Sequence, residues 1–412
     1  MRTGAAWIAL ALAAACLASG GARADTVTIG ALYPLTGGNA RIGTEAKAAI
    51  EIGEDIVNTP HKGLEALPLG AGEGLPGLGG AKIAVLFADH QDNPSVATGQ
   101  VMRLKGQVAA LLGTGGTTAT LAATAEAERD GIPFLVPDAM APEITARGYK
   151  FVFRTTPLGG DFARVYGQFL AGLRAGGTKI ETVALVFENT ARGTAAAASM
   201  QEAAKGFGLN IVAAIAYPPD GIDLSAQVTA LRGINPDAVF LVSDAADAAL
   251  FVKTMNTIGY KPPLLIGDDA GFSDPAFVAA NGNLAQGLID RSVWNAGAAD
   301  SPTAIVNGLY RVKTGHDLDD TGARVLQGFL VLAEASDRAQ STDPAAIQKA
   351  LQQTDLKPEQ LIVGYNGVKF DASGQNTLAS TYLVQLQGKQ YVPVWPAANA
   401  PAKLVLPYKA WQ

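Results

Sequence analysis

Short apolar runs alternate with longer segments of helical period over most of this chain. Residues 27–32, 82–87, 108–112, 132–136, 182–187, 210–216, 238–242 and 264–267 read as strands. Residues 44–57, 94–106, 119–130, 161–174, 193–207, 224–232 and 246–258 read as the helices between them. This alternation predicts an α/β fold whose parallel sheets are covered on both faces. Two successive sets of strand–helix units exceed one comfortable sheet, so two lobes are expected. The last third changes rhythm. Residues 302–313, 321–338 and 344–353 read as consecutive helices, and 367–371, 378–387 and 390–394 as β segments. The chain is therefore expected to cross between the lobes more than once. Residues 58–80 hold seven glycines and three prolines with little periodicity, and read as a long surface loop.

The stretch 108–142 is the richest in candidate chemistry. A strand leads into a Gly/Thr loop (113–118), then a helix stopped by Gly131 and a second strand. The loop offers backbone N–H groups and the hydroxyls of Thr114, Thr117 and Thr118 at the positive end of a helix, a site suited to a carboxylate. It lacks the lysine of a phosphate-gripping loop. An ordinary turn capped by threonines would show the same sequence.

Composition narrows the function classes. Met1-Arg2, an apolar core over 5–18 and the small-x-small stretch Ala22-Arg23-Ala24 read as an export signal cleaved before Asp25. Cys16 lies inside that apolar core. Ala13 stands where a lipidation signal usually has a leucine-type residue, so cleavage is expected rather than lipidation. Cleavage leaves 388 residues (412 − 24) without cysteine, with 29 basic against 37 acidic residues, a net charge of −8. That balance argues against nucleic acid or an anionic membrane as partner. The three histidines are scattered, no HExxH, GxSxG or GxxxxGK[ST] pattern occurs and no GxGxxG follows a strand, so no enzyme, metal or cofactor is expected. In 89–92, Asp92 or Asn93 is expected to cap the helix starting at Pro94.

In open α/β sheets ligands settle beyond the carboxyl ends of the strands. The loops there are 34–43, 113–118, 137–141, 188–192, 243–247 and 268–272. The first three are small and neutral or polar. The last three carry Arg192, Asp244, Asp247, Asp268 and Asp269. Lobes so equipped would complement a zwitterion, its carboxylate at Thr117 or Thr118 and its ammonium at Asp269 or Asp244.

The stretches VTIGALYPLTGG (27–38), ADHQDNP (88–94), GIPFLVP (131–137), APEITARGYKFVFRTTP (141–157) and LQGFLVLAEA (326–335), with the Gly/Thr loop, resemble a known family. The chain is similar to type I periplasmic solute-binding proteins of the branched-chain amino acid branch, the exported receptors of ABC importers. The resemblance covers essentially all of 25–412. It implies two Rossmann-like lobes with parallel sheets, joined by a three-crossover hinge near Thr155, Asp290 and Gln375. Residues 25–155 and 291–375 would form lobe 1, and 156–290 with 376–412 lobe 2.

By the same resemblance, the hydroxyl of Thr117 or Thr118 would receive a ligand carboxylate and Asp269 its α-amine, with Gly116 a further ligand-binding position. Asp138, Ala139 and Met140 would form the next wall, with Met140 where leucine-binding relatives have threonine. Ile42 and Arg192 stand where relatives have aromatic walls, and no tyrosine lies near Asp244. These departures leave open a different amino acid, an amide or an aromatic acid, and Arg192 could add a second anion contact. The implied partners are a small ligand and an inner-membrane ABC permease and ATPase, with the receptor a periplasmic monomer. A ligand sensor with the same fold is the alternative.

Overall fold

The computed structural model describes residues 26–408 except 220, 269, 274, 397–399 and 401. The expected export signal, Cys16 and Asp269 lie outside the described residues. The first sheet is built by β1 (Thr26–Tyr33), β2 (Lys82–Asp89), β3 (Ala110–Gly113), β4 (Phe134–Val136) and β5 (Val152–Arg154). Its strands are parallel and ordered β2-β1-β3-β4-β5. Helices α1 (Ala40–Asn58), α2 (Pro94–Leu104) and α3 (Thr117–Asp130) connect them. Asn93 caps α2, its side chain accepting from the N–H groups of Ser95 and Val96.

The second sheet begins after α4 (Gly159–Ala175), with β6 (Thr182–Glu188), α5 (Ala191–Phe207), β7 (Asn210–Tyr217), α6 (Ser225–Ile234), β8 (Ala238–Val242) and α7 (Ala245–Ile258). It continues through β9 (Leu265–Asp268), α8 (Ala270–Ser273), α9 (Pro275–Asn281) and β10 (Ile289–Ser292). The chain then returns to the first lobe as α10 (Pro302–Thr314), α11 (Asp320–Arg338) and α12 (Pro344–Gln352), which pack with β1, β3 and α1 in one core. A small ladder of β11 (Asp355–Leu356) and β12 (Val368–Lys369) follows. Finally β13 (Tyr382–Gln387) and β14 (Gln390–Trp395) join the second sheet, which runs β14-β13-β10-β9-β8-β6-β7. The fold is thus α/β with two lobes.

Segment 58–80 departs from the expected surface loop. Leu64, Leu67 and Leu75 are buried in the first core, because three leucines among the glycines give the segment enough apolar area to fold down. Strands β5 and β10 were not legible as apolar runs, since β5 is three residues long and β10 reads IDRS.

Three chain passages join the lobes: after β5, after β10 and before β13. The first and third are tied together by Arg154, which is fully buried. Its guanidinium donates to Gln375 Oε1 (2.7 Å), Ala141 O (2.6 Å), Thr145 Oγ1 (2.9 Å) and Ala139 O (3.4 Å). Burial pushes its pKa down to about 10, against the opposing pull of Asp161 and Glu143. Asn376 completes the tie, its N–H donating to Arg154 O (2.9 Å) and its side-chain amide to Thr155 O (3.1 Å). On the second passage, Asp320 at the start of α11 accepts from Val293 N–H (2.6 Å) and pairs with Arg324 (3.0 Å).

Strand β10 is polar yet central. Arg291 donates to Asp268 Oδ1 (2.6 Å) and stacks on Phe162 at 4.0 Å. Neighbouring Asp290 is 1% exposed, and burial raises its pKa well above the ordinary 3.8, with Asp268 and Asp320 adding to the rise and Arg291 opposing it. A carboxyl whose folded pKa is raised stabilises the fold fully below the unfolded pKa. That stability is lost as pH rises through the folded value. Thermal melts from pH 4 to 9 should therefore show a decline with rising pH that Asp290→Asn flattens. Parallel pH profiles for the two proteins would contradict this account of Asp290.

Candidate functional site

Each parallel set is wound in the same way. In β2-β1-β3-β4-β5 the direction of growth reverses between β1 and β3, and in β7-β6-β8-β9-β10 between β6 and β8. The connections leaving neighbouring strands at such a reversal go to opposite faces, which opens a crevice at the carboxyl ends where ligands of this fold class sit. The first crevice is bordered by the loops after Tyr33 and Gly113, the second by those after Glu188 and Val242.

At the first crevice α3 starts without a side-chain cap. Its N-cap is Gly116 (φ −107°, ψ 144°), which has no side chain to offer the first-turn N–H groups. Thr117 and Thr118 are exposed there. Thr114 is not part of the cradle, because its hydroxyl turns inward to Thr120 Oγ1 at 2.8 Å. Gly115 (φ +93°) lies under Ile42, whose Cγ2 would be 3.3 Å from an added Cβ. The positive φ and the close neighbour both favour glycine.

The facing loop is pinned by Asp89, which accepts from Leu35 N–H (2.9 Å), Gln91 N–H (2.9 Å) and the Thr36 hydroxyl (2.5 Å). Partial burial works against its charge. The Thr36 hydroxyl and those N–H groups nevertheless hold its pKa below the ordinary value.

Asp138 underlies the cradle. It is 5% exposed, and its Oδ1 accepts from Gly115 N–H at 3.3 Å. Burial raises its pKa, with Arg324 and the Gly115 N–H opposing. Arg324 reaches Asp138 O at 3.1 Å, tying this loop to α11. Ala139 is buried and its carbonyl accepts from Arg154. Met140 is half-buried, and its carbonyl accepts from Gly159 N–H (3.4 Å) at the start of α4. These three residues lie where the first lobe meets the hinge.

The second crevice holds an ion-paired cluster. Glu188, at the end of β6, is 1% exposed and accepts from Arg192 Nε at 2.9 Å and from Arg192 Nη2. Arg192 Nη2 also pairs with Asp244 at 2.8 Å. Arg192 therefore stands between two carboxylates instead of offering a lone positive charge. Asp244 occupies the N-cap position of α7 without a side-chain capping bond, so its carboxylate serves Arg192 and not the helix. Burial raises the pKa of Glu188, Arg192 lowers it and Asp244 raises it further. The start of α8 abuts this loop, since a Cβ on Gly271 would fall 2.2 Å from Ser243 O.

Sequence reasoning had not singled out Glu188, Arg154 or Arg324. A charged residue closing an apolar run was the available signal for the first two, as in TVALVFE and VFR.

The periplasmic binding protein family profile matches residues 26–390. The chain is 30% identical to a Leu/Ile/Val-binding protein homolog of Brucella suis, over 97% of this chain and 98% of the relative. Its fold is similar to the branched-chain amino acid transporter substrate-binding protein of Streptococcus pneumoniae, solved with isoleucine (TM-score 0.73, 21% identity, 93% and 100% of the two chains). A second similar structure is a solute-binding protein of an ABC transporter from Rhodopseudomonas palustris, solved with 3,4-dihydroxybenzoic acid (TM-score 0.71, 21% identity, 89% and 95% covered). The chain belongs to the periplasmic binding protein family.

Proposed function

We propose that this chain is the exported receptor of an ABC importer and captures an amino acid or a similar small carboxylate between its lobes by hinge closure. One observation carries the reading. The crevice of the first lobe ends in an uncapped helix start at Gly116–Thr118, while that of the second is lined by carboxylates. The first suits an anion and the second a donor or cation. The relatives support the class, since their names and bound ligands are small carboxylates. On this reading Thr117 or Thr118 receives the carboxylate and Asp269 the amine. The lobes comprise 25–155 with 291–375 and 156–290 with 376–412. The signal at 1–24 is removed on export to the periplasm, and the receptor delivers ligand as a monomer to a permease and its ATPase.

The test is a thermal-shift screen against amino acids, amides and aromatic acids. A ligand at 100-fold its dissociation constant stabilises the fold by about 2.7 kcal/mol. If no small carboxylate raises the melting temperature, the reading fails. With the best ligand in hand, Thr118→Ala should weaken calorimetric binding by about 1–3 kcal/mol through loss of one hydrogen bond to a charged group. An unchanged affinity would remove Thr118 from the site.

A further inference from the structure

The second crevice also bears on which ligand is taken. Arg192 is the basic residue of the Glu188–Arg192–Asp244 cluster, and two carboxylates already surround it. The cluster therefore sums to about one negative charge with all three groups ionised. Glu188 adds an independent sign. Its Oε1 is occupied by Arg192 and Thr190, but its Oε2 is buried and has no hydrogen-bond partner among the described residues. A buried carboxylate oxygen without a donor is costly, and a ligand that brings a donor removes that cost. The cluster joins the ends of β6 and β8, the two strands at which the second sheet reverses. It thus faces the crevice that a bound ligand enters.

Resting on the receptor reading above, we propose that this cluster is the specificity element for the ligand's side chain, and that it selects an amino acid ending in a cationic group over one ending in an aliphatic branch. The ligand's donor reaches Glu188 Oε2 and its charge offsets the unbalanced carboxylate. A ligand with a second carboxylate is repelled at the same place, and specificity arises as much from that repulsion as from the attraction.

The test uses the full mature chain and probes matched in length. L-lysine and L-norleucine share a four-carbon chain and differ by the terminal ammonium. Calorimetry should show L-lysine binding at least tenfold more tightly than L-norleucine, with L-glutamate weakest. Glu188→Gln and Asp244→Asn should each weaken L-lysine binding at least fivefold and leave L-norleucine within twofold. Asp244 is largely exposed, so its variant keeps the test valid if Glu188→Gln fails to fold. L-norleucine binding as tightly as L-lysine, or variants that weaken both ligands equally, would overturn the inference while leaving the receptor reading intact. No response to any amino acid, amide or aromatic acid would overturn both.

Discussion

Arg154→Ala is expected to lower the free energy of unfolding by about 3–5 kcal/mol, on the scale of about 1–3 kcal/mol for each buried acceptor left without a donor. The size follows from what stays behind. Gln375 Oε1, Ala141 O, Thr145 Oγ1 and Ala139 O all lose a charged donor, and all but the partly buried Ala141 lie in buried residues. Two of the three passages between the lobes meet at this side chain, so the damage should extend to closure. Arg154→Lys keeps the charge but cannot reproduce the planar fork, and should recover only part of the loss. Urea unfolding measures both. A loss below about 1 kcal/mol for the alanine variant would show that the passages are held by backbone contacts alone.

The second large effect concerns ligand. Gly116→Asn should leave the fold at least as stable and weaken binding at least 100-fold, about 2.7 kcal/mol. Gly116 already has the extended backbone of a capping residue. An asparagine there turns its side-chain oxygen to the first-turn N–H groups of α3, as strong N-caps do. The protein would then occupy its own anion site. The added Cβ lies 3.1 Å from Asp92 Oδ1, which must give by a few tenths of an ångström. Melting temperature and calorimetry together separate this outcome from simple unfolding. Undiminished binding in a stable variant would show that the carboxylate is held elsewhere.

How far the sequence revealed these features depended on how each residue is buried. Strands such as Ala238–Val242 are buried at every position, and an unbroken apolar run marks them. Strand β10 is equally buried but contains Asp290 and Arg291, and the Arg291 charge is met by Asp268 and Phe162 from elsewhere in the chain. No local pattern can announce such a partner. The helix start after the Gly/Thr loop was legible because glycine spacing and a helix start are local properties. The pairing of Arg192 with both Glu188 and Asp244 was not, since β6 and β8 become neighbours only in the folded sheet. The leucines of 58–80 show the converse error, where glycine content hid apolar residues that reach the core.

The central claim is that the start of α3 holds the ligand by its carboxylate. The most direct measurement is calorimetric titration of the best-binding amino acid against its own primary carboxamide, which has nearly the same shape without the negative charge. Charge-assisted hydrogen bonds to backbone N–H groups are roughly twice as strong as neutral ones, and the helix dipole favours an anion. The account predicts that the carboxamide binds at least 30-fold more weakly. Equal affinity for the two compounds would contradict it.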